Sequence, residues 1–342
     1  MIGRTKSVGV VMWRLFQTIA LVVAVMCVAV QGTALSQDGD GPFVKELKSQ
    51  NAHLFANPLK LAKERKPATL KRDYEEKLGR TEWQLSDGPV SVEVTLKKGG
   101  PPDGVLYMNP VVSVSVDGKQ VIRSEGSESF PDNPVFLVQI AEMDASNPYP
   151  EVVFSTYTGG AHCCSDTRVL ASSKDGKTWR EIPVGPFDGG PLEVSDLDGD
   201  GRFELATRDN AFLYTFGCYA CSTAPLLILA LEEGKLRNVS AKPSFRANQL
   251  KSLKHIIEWA DEGTDRNGFL AGYVGQKILL GEGAPAWQLM LKYYDRKSDW
   301  GLESCSVEPA KDGECPKEKV VKLTYPEALE RFLEDNDYKL EK

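Results

Sequence analysis

The sequence predicts an α+β protein, in which a β-repeat domain is followed by a small helical C-terminal domain. Three observations support this fold class. Apolar and polar residues alternate through the middle of the chain, which is typical of half-buried strands. A hairpin signal recurs in that region at a fixed spacing. Beyond residue 243, apolar residues follow a helical period instead.

Changes in periodicity and charge divide the 342 residues into four segments. These are a signal peptide (1–36), a charged helical or loose N-terminal arm (37–86), a β-repeat domain with a period of about 58 residues (87–243) and a helical C-terminal domain (244–342).

Residues 1–36 have the layout of a secretory signal peptide. A basic start without acidic residues precedes the apolar run Leu15 to Val30, and small residues follow. The run is about 16 residues long, which is short for a membrane span of roughly 20. Cleavage after Ser36 gives an exported protein, periplasmic or extracellular, with no membrane attachment. The alternative is a retained membrane anchor.

Removal of this peptide leaves 38 basic and 48 acidic side chains, a net charge of −10. Such a chain, without a basic cluster, argues against nucleic acid as a partner, because that binding depends on neutralising phosphates. Removal also takes away Cys27, so six of the seven cysteines remain. An even number of cysteines in an exported protein predicts disulfides.

The arm, 37–86, is rich in charged residues and is interrupted by Pro58 and Pro67. This composition favours short helices or a loose arm over strands.

Three hairpins are predicted at intervals of 58 residues. Asp117-Gly118 separates two alternating runs and favours a tight type I′ turn. Asp175-Gly176 and Glu233-Gly234 follow at the same spacing. The last two hairpins belong to segments that align with each other. The corresponding residues are Asp144 and Asp196, Glu151 and Glu204, and Cys164 and Cys221.

The second of these segments contains a candidate calcium loop, DLDGDGRFE. Three aspartates occupy its positions 1, 3 and 5, and Gly201 allows a sharp turn at position 6. Carboxylates clustered in this way repel one another unless a hard cation lies between them. The predicted ligands are the side chains of Asp196, Asp198, Asp200 and Glu204 and the carbonyl of Arg202.

The loop differs from an EF-hand, because position 12 is Thr207 where a bidentate Glu is required. It resembles the calcium loops of FG-GAP and VCBS-type repeats of β-propeller proteins, which place D-x-[DN]-x-D-G-x-x-[DE] before a strand. The resemblance covers about residues 110–240. It implies a four-stranded blade for each repeat and a structural calcium ion that stiffens the loop.

The first repeat departs from this pattern. Its loop, DASNPYPE, lacks the second and third aspartates, so no metal is assigned to it. Two to three units are also fewer than the four blades of the smallest propellers. The expected architecture is therefore either propeller-like, with degenerate blades before residue 110, or an open sheet of β-blades.

The four cysteines of the repeats have several possible pairings. Neighbouring Cα atoms across a trans peptide are about 3.8 Å apart, whereas an unstrained disulfide needs about 4.4–6.8 Å. A Cys163–Cys164 bond is therefore disfavoured. We favour two disulfides between the repeats, because Cys164 and Cys221 hold equivalent positions. Local pairs are the alternative, and a metal or redox site with His162 is a third. With disulfides present, we expect His162 to be a strand-end residue with a backbone partner.

The C-terminal domain is predicted to contain helices between residues 250 and 301, and a capping box at Thr324 to Glu327 starts another. Cys305 and Cys315 are candidates for a further disulfide. Three tryptophans are expected in its core: Trp259, Trp287 and Trp300.

The sequence contains no G-x-S-x-G, H-E-x-x-H or phosphate-loop motif, so no catalytic residue is assigned. We expect a calcium-stabilised binding or scaffold module of the cell envelope or extracellular space, with a protein or polysaccharide partner. One alternative is a hydrolase of envelope or extracellular polymer that uses carboxylates in an interdomain cleft. Another is a thiol- or metal-handling protein that uses His162, Cys163, Cys164, Cys218 and Cys221.

Overall fold

The structure is a computed structural model that describes residues 40–341 except 64, 74–79, 100–106, 128–133, 161, 264–265 and 308–314. The predicted signal peptide lies outside these residues. The helices are α1 (Pro42–Gln50), α2 (His53–Ala56), α3 (Arg246–Glu258), α4 (Asn267–Leu279), α5 (Gly283–Tyr293) and α6 (Tyr325–Asp335). The strands are β1 (Ala68–Arg72), β2 (Glu82–Asp87), β3 (Val90–Gly99), β4 (Tyr107–Val116), β5 (Lys119–Glu125), β6 (Val135–Ala141), β7 (Glu151–Tyr157), β8 (Cys163–Ser172), β9 (Trp179–Asp188), β10 (Val194–Ser195), β11 (Glu204–Arg208), β12 (Leu226–Glu232), β13 (Lys235–Asn238), β14 (Glu303–Cys305) and β15 (Val320–Lys322).

The strands form antiparallel sheets that precede most of the helices, so the predicted α+β class is confirmed. The first sheet has the order β2-β3-β4-β5, the central sheet β1-β6-β7-β8-β9, and the third sheet β10-β11-β12-β13. A small two-stranded sheet, β14-β15, lies among the C-terminal helices in the chain. Consecutive strands are neighbours, except that β1 pairs with β6.

The three predicted hairpins are confirmed, and each joins the last two strands of its sheet. Asp117 and Gly118 have φ values of 50° and 77°, and Glu233 and Gly234 have 50° and 71°. Two successive left-handed residues are the signature of type I′ turns. The middle hairpin has a longer connection, because its last strand pair is Ser172 with Trp179.

The three sheets pack face to face in chain order. Val152 and Phe154 of β7 lie in an apolar cluster shared with the first sheet. Val153, which points to the opposite face, lies in a cluster shared with the third sheet. Both faces of the central sheet are therefore covered, and β6 and β7 are buried along their whole lengths. In the described part of the chain the sheets form a stack and not a closed propeller.

The N-terminal arm differs from its prediction. Its described residues supply β1 to the central sheet and β2 to the first sheet. Leu47 of α1 is buried in the main cluster of the C-terminal helices. Pro58 and Pro67 both lie between α2 and β1 and do not interrupt either element.

The C-terminal helices pack around α4, the most buried of the six helices. The predicted capping box is confirmed: Thr324 is the N-cap of α6 and exchanges hydrogen bonds with Glu327. Of the three tryptophans expected in the core, Trp287 is buried, whereas Trp259 and Trp300 are exposed. Among the described residues, no helix has the length and hydropathy needed to cross a membrane.

Candidate functional site

The acidic loop, residues 196–204, lies between β10 and β11 at one end of the third sheet. Asp196, Asp198 and Asp200 each place a carboxylate oxygen within 4.8 Å of the others. The loop backbone folds around these side chains: Asp196 accepts hydrogen bonds from the N–H groups of Gly199 and Gly201, at 2.8 and 3.2 Å. The sequence therefore brings the predicted aspartate ligands together through local Asx turns.

Glu204, the fourth predicted carboxylate, is buried at the start of β11. Its carboxylate accepts a hydrogen bond of 2.9 Å from the N–H of Leu197. Burial raises the pKa of Glu204 to about 7, and the carboxylates of Asp198 and Asp200 act in the same direction. This concentration of negative charge is the environment that a hard cation would stabilise.

Two arginines partly balance the acidic loop. The Arg202 guanidinium contacts the Asp200 carboxylate and holds the pKa of Asp200 below its usual value. Arg65, from the N-terminal arm, lies 3.7 Å from the fully buried Asp196 carboxylate. Asp198 has neither of these cationic contacts and accepts a hydrogen bond of 3.2 Å from the N–H of Asp200.

The loop of the central sheet that aligns with the acidic loop, residues 144–151, is held by hydrogen bonds to its carboxylates. Glu151 is completely buried and accepts three hydrogen bonds, from the N–H groups of Met143 and Asp144 and from the Asn147 amide. Burial nevertheless raises the pKa of Glu151 to about 7. Asp144 accepts a hydrogen bond from the N–H of Gly234, in the turn of the third sheet's hairpin. Glu151 thus binds the backbone and the Asn147 side chain of its own loop, and Asp144 connects this loop to the hairpin of the third sheet.

The pairing of the repeat cysteines corrects the predicted disulfides between repeats. Cys163 pairs with Cys164 across a cis peptide bond, and Cys218 pairs with Cys221. The segment 209–225 between β11 and β12 explains the difference. Its 3₁₀ turns place Cys221 before β12 and bring its Cα atom 4.9 Å from that of Cys218. This distance suits a disulfide within a single turn.

Cys305 pairs with Cys315, with the Cα atoms 5.7 Å apart. This disulfide lies beside the small β14-β15 sheet, because Cys305 is the last residue of β14.

His162 has side-chain partners and not the backbone partner that we expected. Its Nδ1 atom lies 2.9 Å from an Asp188 oxygen, and its Nε2 atom lies 3.3 Å from the Tyr214 hydroxyl. The imidazole stacks on Tyr219, with ring centroids 4.1 Å apart, and the Tyr219 hydroxyl donates to Asp188. That hydrogen bond raises the pKa of Tyr219 to about 12. Because Tyr219 lies between Cys218 and Cys221 in the chain, His162 links the two disulfide-containing segments.

A cleft of about 930 Å³ lies between the third sheet and the C-terminal helices. One wall consists of β11, β12 and the segment 220–224, which includes Cys221. The other wall consists of α3, the segment after it and the start of α4. Trp259, at the end of α3, is 76% exposed at the edge of the cleft and contacts His255 edge to face.

Three cationic side chains line the cleft, Arg208, Lys251 and Arg266. Arg208 and Lys251 have no hydrogen-bonded or ion-paired partner among the residues the structure describes. Asp261 is the one carboxylate of the described lining. This lining lacks the pair of facing carboxylates that the hydrolase hypothesis requires. The described cleft therefore has a basic surface in a protein of net charge −7.

Sequence reasoning offered an interdomain cleft only as a site for carboxylates, and it missed the cations of the cleft and the partners of His162. The cleft walls are more than 40 residues apart in the chain at Arg208 and Lys251. One local signal was present: Gly268, Gly272 and Gly275 form a stripe at helical spacing on α4. A Cβ atom at Gly268 would lie 2.9 Å from the carbonyl oxygen of Cys221, so the stripe allows α4 to contact the cleft wall closely.

The fold and the site define a class of protein: three stacked antiparallel sheets with a basic cleft between the third sheet and a helical region. The chain belongs to the sll0997 family. Residues 246–337 match the family model described as "sll0997 C-terminal domain". The chain is 43% identical over 259 residues to the "Probable thylakoid lumen protein sll0997" of Synechocystis sp., and the match covers 75% of each chain.

A second relative is the "Uncharacterized protein y4bJ" of Sinorhizobium fredii, which is 36% identical over 234 residues. This match covers 67% of the present chain and 37% of the relative. No solved structure matches the chain significantly. The first relative's name places that protein in the thylakoid lumen, a compartment that proteins reach by export. The prediction that the present chain is exported is thereby confirmed.

Proposed function

We propose that this exported protein is a binding module of the cell envelope or extracellular space, with an acidic polysaccharide as its ligand. The basic cleft is the observation that carries the proposal. Arg208 and Lys251 lack described carboxylate partners, and each can pair with a ligand carboxylate. Trp259 offers an exposed aromatic face on which the apolar face of a sugar ring can pack.

The size of the cleft supports an oligosaccharide ligand. A volume of about 930 Å³ lies at the upper end of the range for binding pockets. Gln249 of α3 and Gln276 of α4 hydrogen-bond the backbone of Leu226 in β12, at 3.1 and 3.0 Å. These contacts fix the helices against the third sheet, so the cleft is preformed.

Titration calorimetry with galacturonate oligomers, and with a neutral oligosaccharide of equal length, tests the proposal. Lys251→Glu should weaken binding of the acidic oligomer by about tenfold or more, because attraction becomes repulsion. Lys254→Glu is the matched control: it lies on the same helix but outside the cleft lining, so a small effect is expected. Equal affinity for the neutral oligosaccharide, or equal effects of both variants, contradicts the proposal.

We further propose that the acidic loop binds calcium in the manner of FG-GAP and VCBS-type loops. Four carboxylates of one short segment support this, since three of them are within 4.8 Å of one another and the fourth, Glu204, is buried beside them. Such oxygen-rich loops suit calcium, and sites of extracellular modules bind it with affinities of about 10⁻⁴–10⁻³ M. The ion would stabilise the β10–β11 connection next to the third sheet.

Thermal or chemical unfolding with calcium and with chelator tests this site. At a calcium concentration ten times the dissociation constant, the free energy of unfolding should rise by about 1.4 kcal/mol. Asp198→Asn should abolish that difference. The control, Glu93→Gln, removes an exposed carboxylate from β3 and should preserve it. A calcium response that persists in Asp198→Asn would place the ion elsewhere.

A further inference from the structure

One of the two cysteines of the disulfide Cys218–Cys221 lies in the wall of the cleft. Cys221 lines the cleft together with Ala220, Ser222 and Thr223, and Cys218 is not among the described lining residues. Both cysteines are only half-buried. A solute in the cleft can therefore approach the disulfide from the side of Cys221.

The two sulfurs also differ in their polar surroundings. The backbone N–H of Cys221 donates a hydrogen bond to the Cys218 sulfur, at 3.2 Å. A donor of this kind stabilises the thiolate form of Cys218. In thiol–disulfide exchange, a stabilised thiolate is the better leaving group. Attack on Cys221 is thus favoured by access, and departure of Cys218 is favoured by its hydrogen bond.

The turn that holds the disulfide has other fixed contacts. Tyr219 stacks on His162 and donates to Asp188. The Ser222 hydroxyl donates to the carbonyl of Cys218, at 2.9 Å. The disulfide closes a loop of only four residues, and short loops contribute least to stability. We expect these contacts to hold the cleft wall in place when the disulfide is reduced.

We propose that Cys218–Cys221 is a thiol–disulfide exchange site for thiols that enter the cleft. The external thiolate attacks the Cys221 sulfur and forms a mixed disulfide, while the Cys218–Cys221 bond breaks. Its electron pair goes to Cys218, whose thiolate takes a proton from water. A second external thiolate then attacks the external sulfur of the mixed disulfide and releases Cys221. Two external thiols are oxidised to one disulfide, and the protein disulfide is reduced to two thiols. The reverse sequence uses an external disulfide as the oxidant.

The reduction rates of two disulfides in one protein provide the first test. The native protein is incubated with reduced glutathione, quenched with acid and alkylated, and each cysteine is quantified by peptide mass spectrometry. Cys218–Cys221 should be reduced at least about tenfold faster than Cys305–Cys315. In guanidinium chloride the two rates should become similar, because the cleft is lost. Equal rates in the native protein, or slower reduction of Cys218–Cys221, would overturn the proposal.

Catalysed exchange between dithiothreitol and glutathione disulfide provides the second test. The wild-type protein should accelerate this reaction. The double variant Cys218→Ser/Cys221→Ser should lose the acceleration, and Cys305→Ser/Cys315→Ser should retain it. Acceleration that survives in the first variant would overturn the proposal, whichever of the other two disulfides carries the activity. The proposal is independent of polysaccharide binding, since it requires no acidic sugar in the cleft.

Discussion

Glu151 shows how one buried carboxyl couples the stability of the molecule to pH. Its pKa is about 7 in the folded protein, against a usual value of 4.5, because burial outweighs three hydrogen bonds. Between these values the folded state keeps a proton that the unfolded state has released. The resulting stabilisation is complete below about pH 4.5 and is lost as the pH rises through 7. One unit of pKa corresponds to about 1.4 kcal/mol.

We therefore predict that Glu151→Gln reduces the decline of stability with rising pH and leaves the part that comes from Glu204, whose pKa is also raised to about 7. In the wild-type protein, with chelator present, the free energy of unfolding should decline between about pH 4.5 and 7, by on the order of 3 kcal/mol from this residue. Urea unfolding at several pH values measures the slope in both proteins. Glu93→Gln, on the exposed surface of β3, should leave the slope unchanged. An unchanged slope in Glu151→Gln would show that another group is responsible.

At the residue scale, sequence reasoning succeeded where the cause is local. The aspartates of the acidic loop come together because Asx turns and glycines act within nine residues of chain. His162 was interpreted wrongly because Asp188 and Tyr214 are 26 and 52 residues away. Those contacts depend on how β8, β9 and the segment 209–225 meet, which no local pattern specifies.

The glycine stripe of α4 permits a close contact between this helix and the cleft wall. We predict that Gly272→Ala destabilises the protein by about 1–3 kcal/mol, although alanine is the better helix former. The added methyl group would overlap the backbone carbonyl of Thr223, and a backbone atom has little freedom to move. Gly190→Ala is the control, since a Cβ atom there meets nothing within 4 Å. Chemical denaturation compares the two, and a neutral Gly272→Ala would contradict the close contact.

At the element scale, turn and cap chemistry predicted the hairpins and the start of α6 correctly. In the Asp117-Gly118 and Glu233-Gly234 turns both residues have a left-handed backbone, which glycine adopts without strain and aspartate tolerates. The disulfide pairing was predicted wrongly. The alignment of the two repeats makes Cys164 and Cys221 equivalent, but the segment 209–225 forms 3₁₀ turns that the central sheet lacks. An inserted segment changes which sulfurs meet without changing the periodicity of the strands.

At the scale of the whole molecule, α1 belongs to the C-terminal helical core and not to a separate arm. Leu47 is fully buried in that core. Asn51, just after α1, hydrogen-bonds the Tyr273 hydroxyl at 3.1 Å and Lys277 at 3.1 Å. The first described helix therefore packs against the C-terminal helices. The predicted domain boundary at residue 244 leaves α1 on the other side from the helices that it contacts.

We predict that Leu47→Ala lowers the free energy of unfolding by about 2–5 kcal/mol. Amide hydrogen exchange should show the loss of protection in α3, α4 and α5 and little loss in the first sheet. Leu61→Ala makes the same change at a side chain that is 41% exposed, so it should have a small effect. Protection lost in α1 alone would mean that this helix contributes nothing to the C-terminal core.

The stacking order of the sheets was beyond sequence reasoning, because it depends on contacts between distant strands. The sequence predicts half-buried strands in this region, whereas β6 and β7 are buried on both faces, and a strand pattern does not say what covers each face. The resemblance to propeller repeats implies four strands for each repeat, whereas the central sheet has five strands. This resemblance does not determine how Val152 and Val153 divide between two neighbouring sheets.

The doubly covered central sheet has a consequence for strand register. In most sheets a shift by one residue is penalised because it turns apolar side chains to water. In β6 and β7 every position is buried, so such a shift would exchange one dry face for another. Gln139 and Ser155 accept hydrogen bonds from the N–H groups of Val194 and Leu192, and Glu151 of β7 accepts three. These buried polar side chains thus favour the observed alignment, because a shift would break their hydrogen bonds.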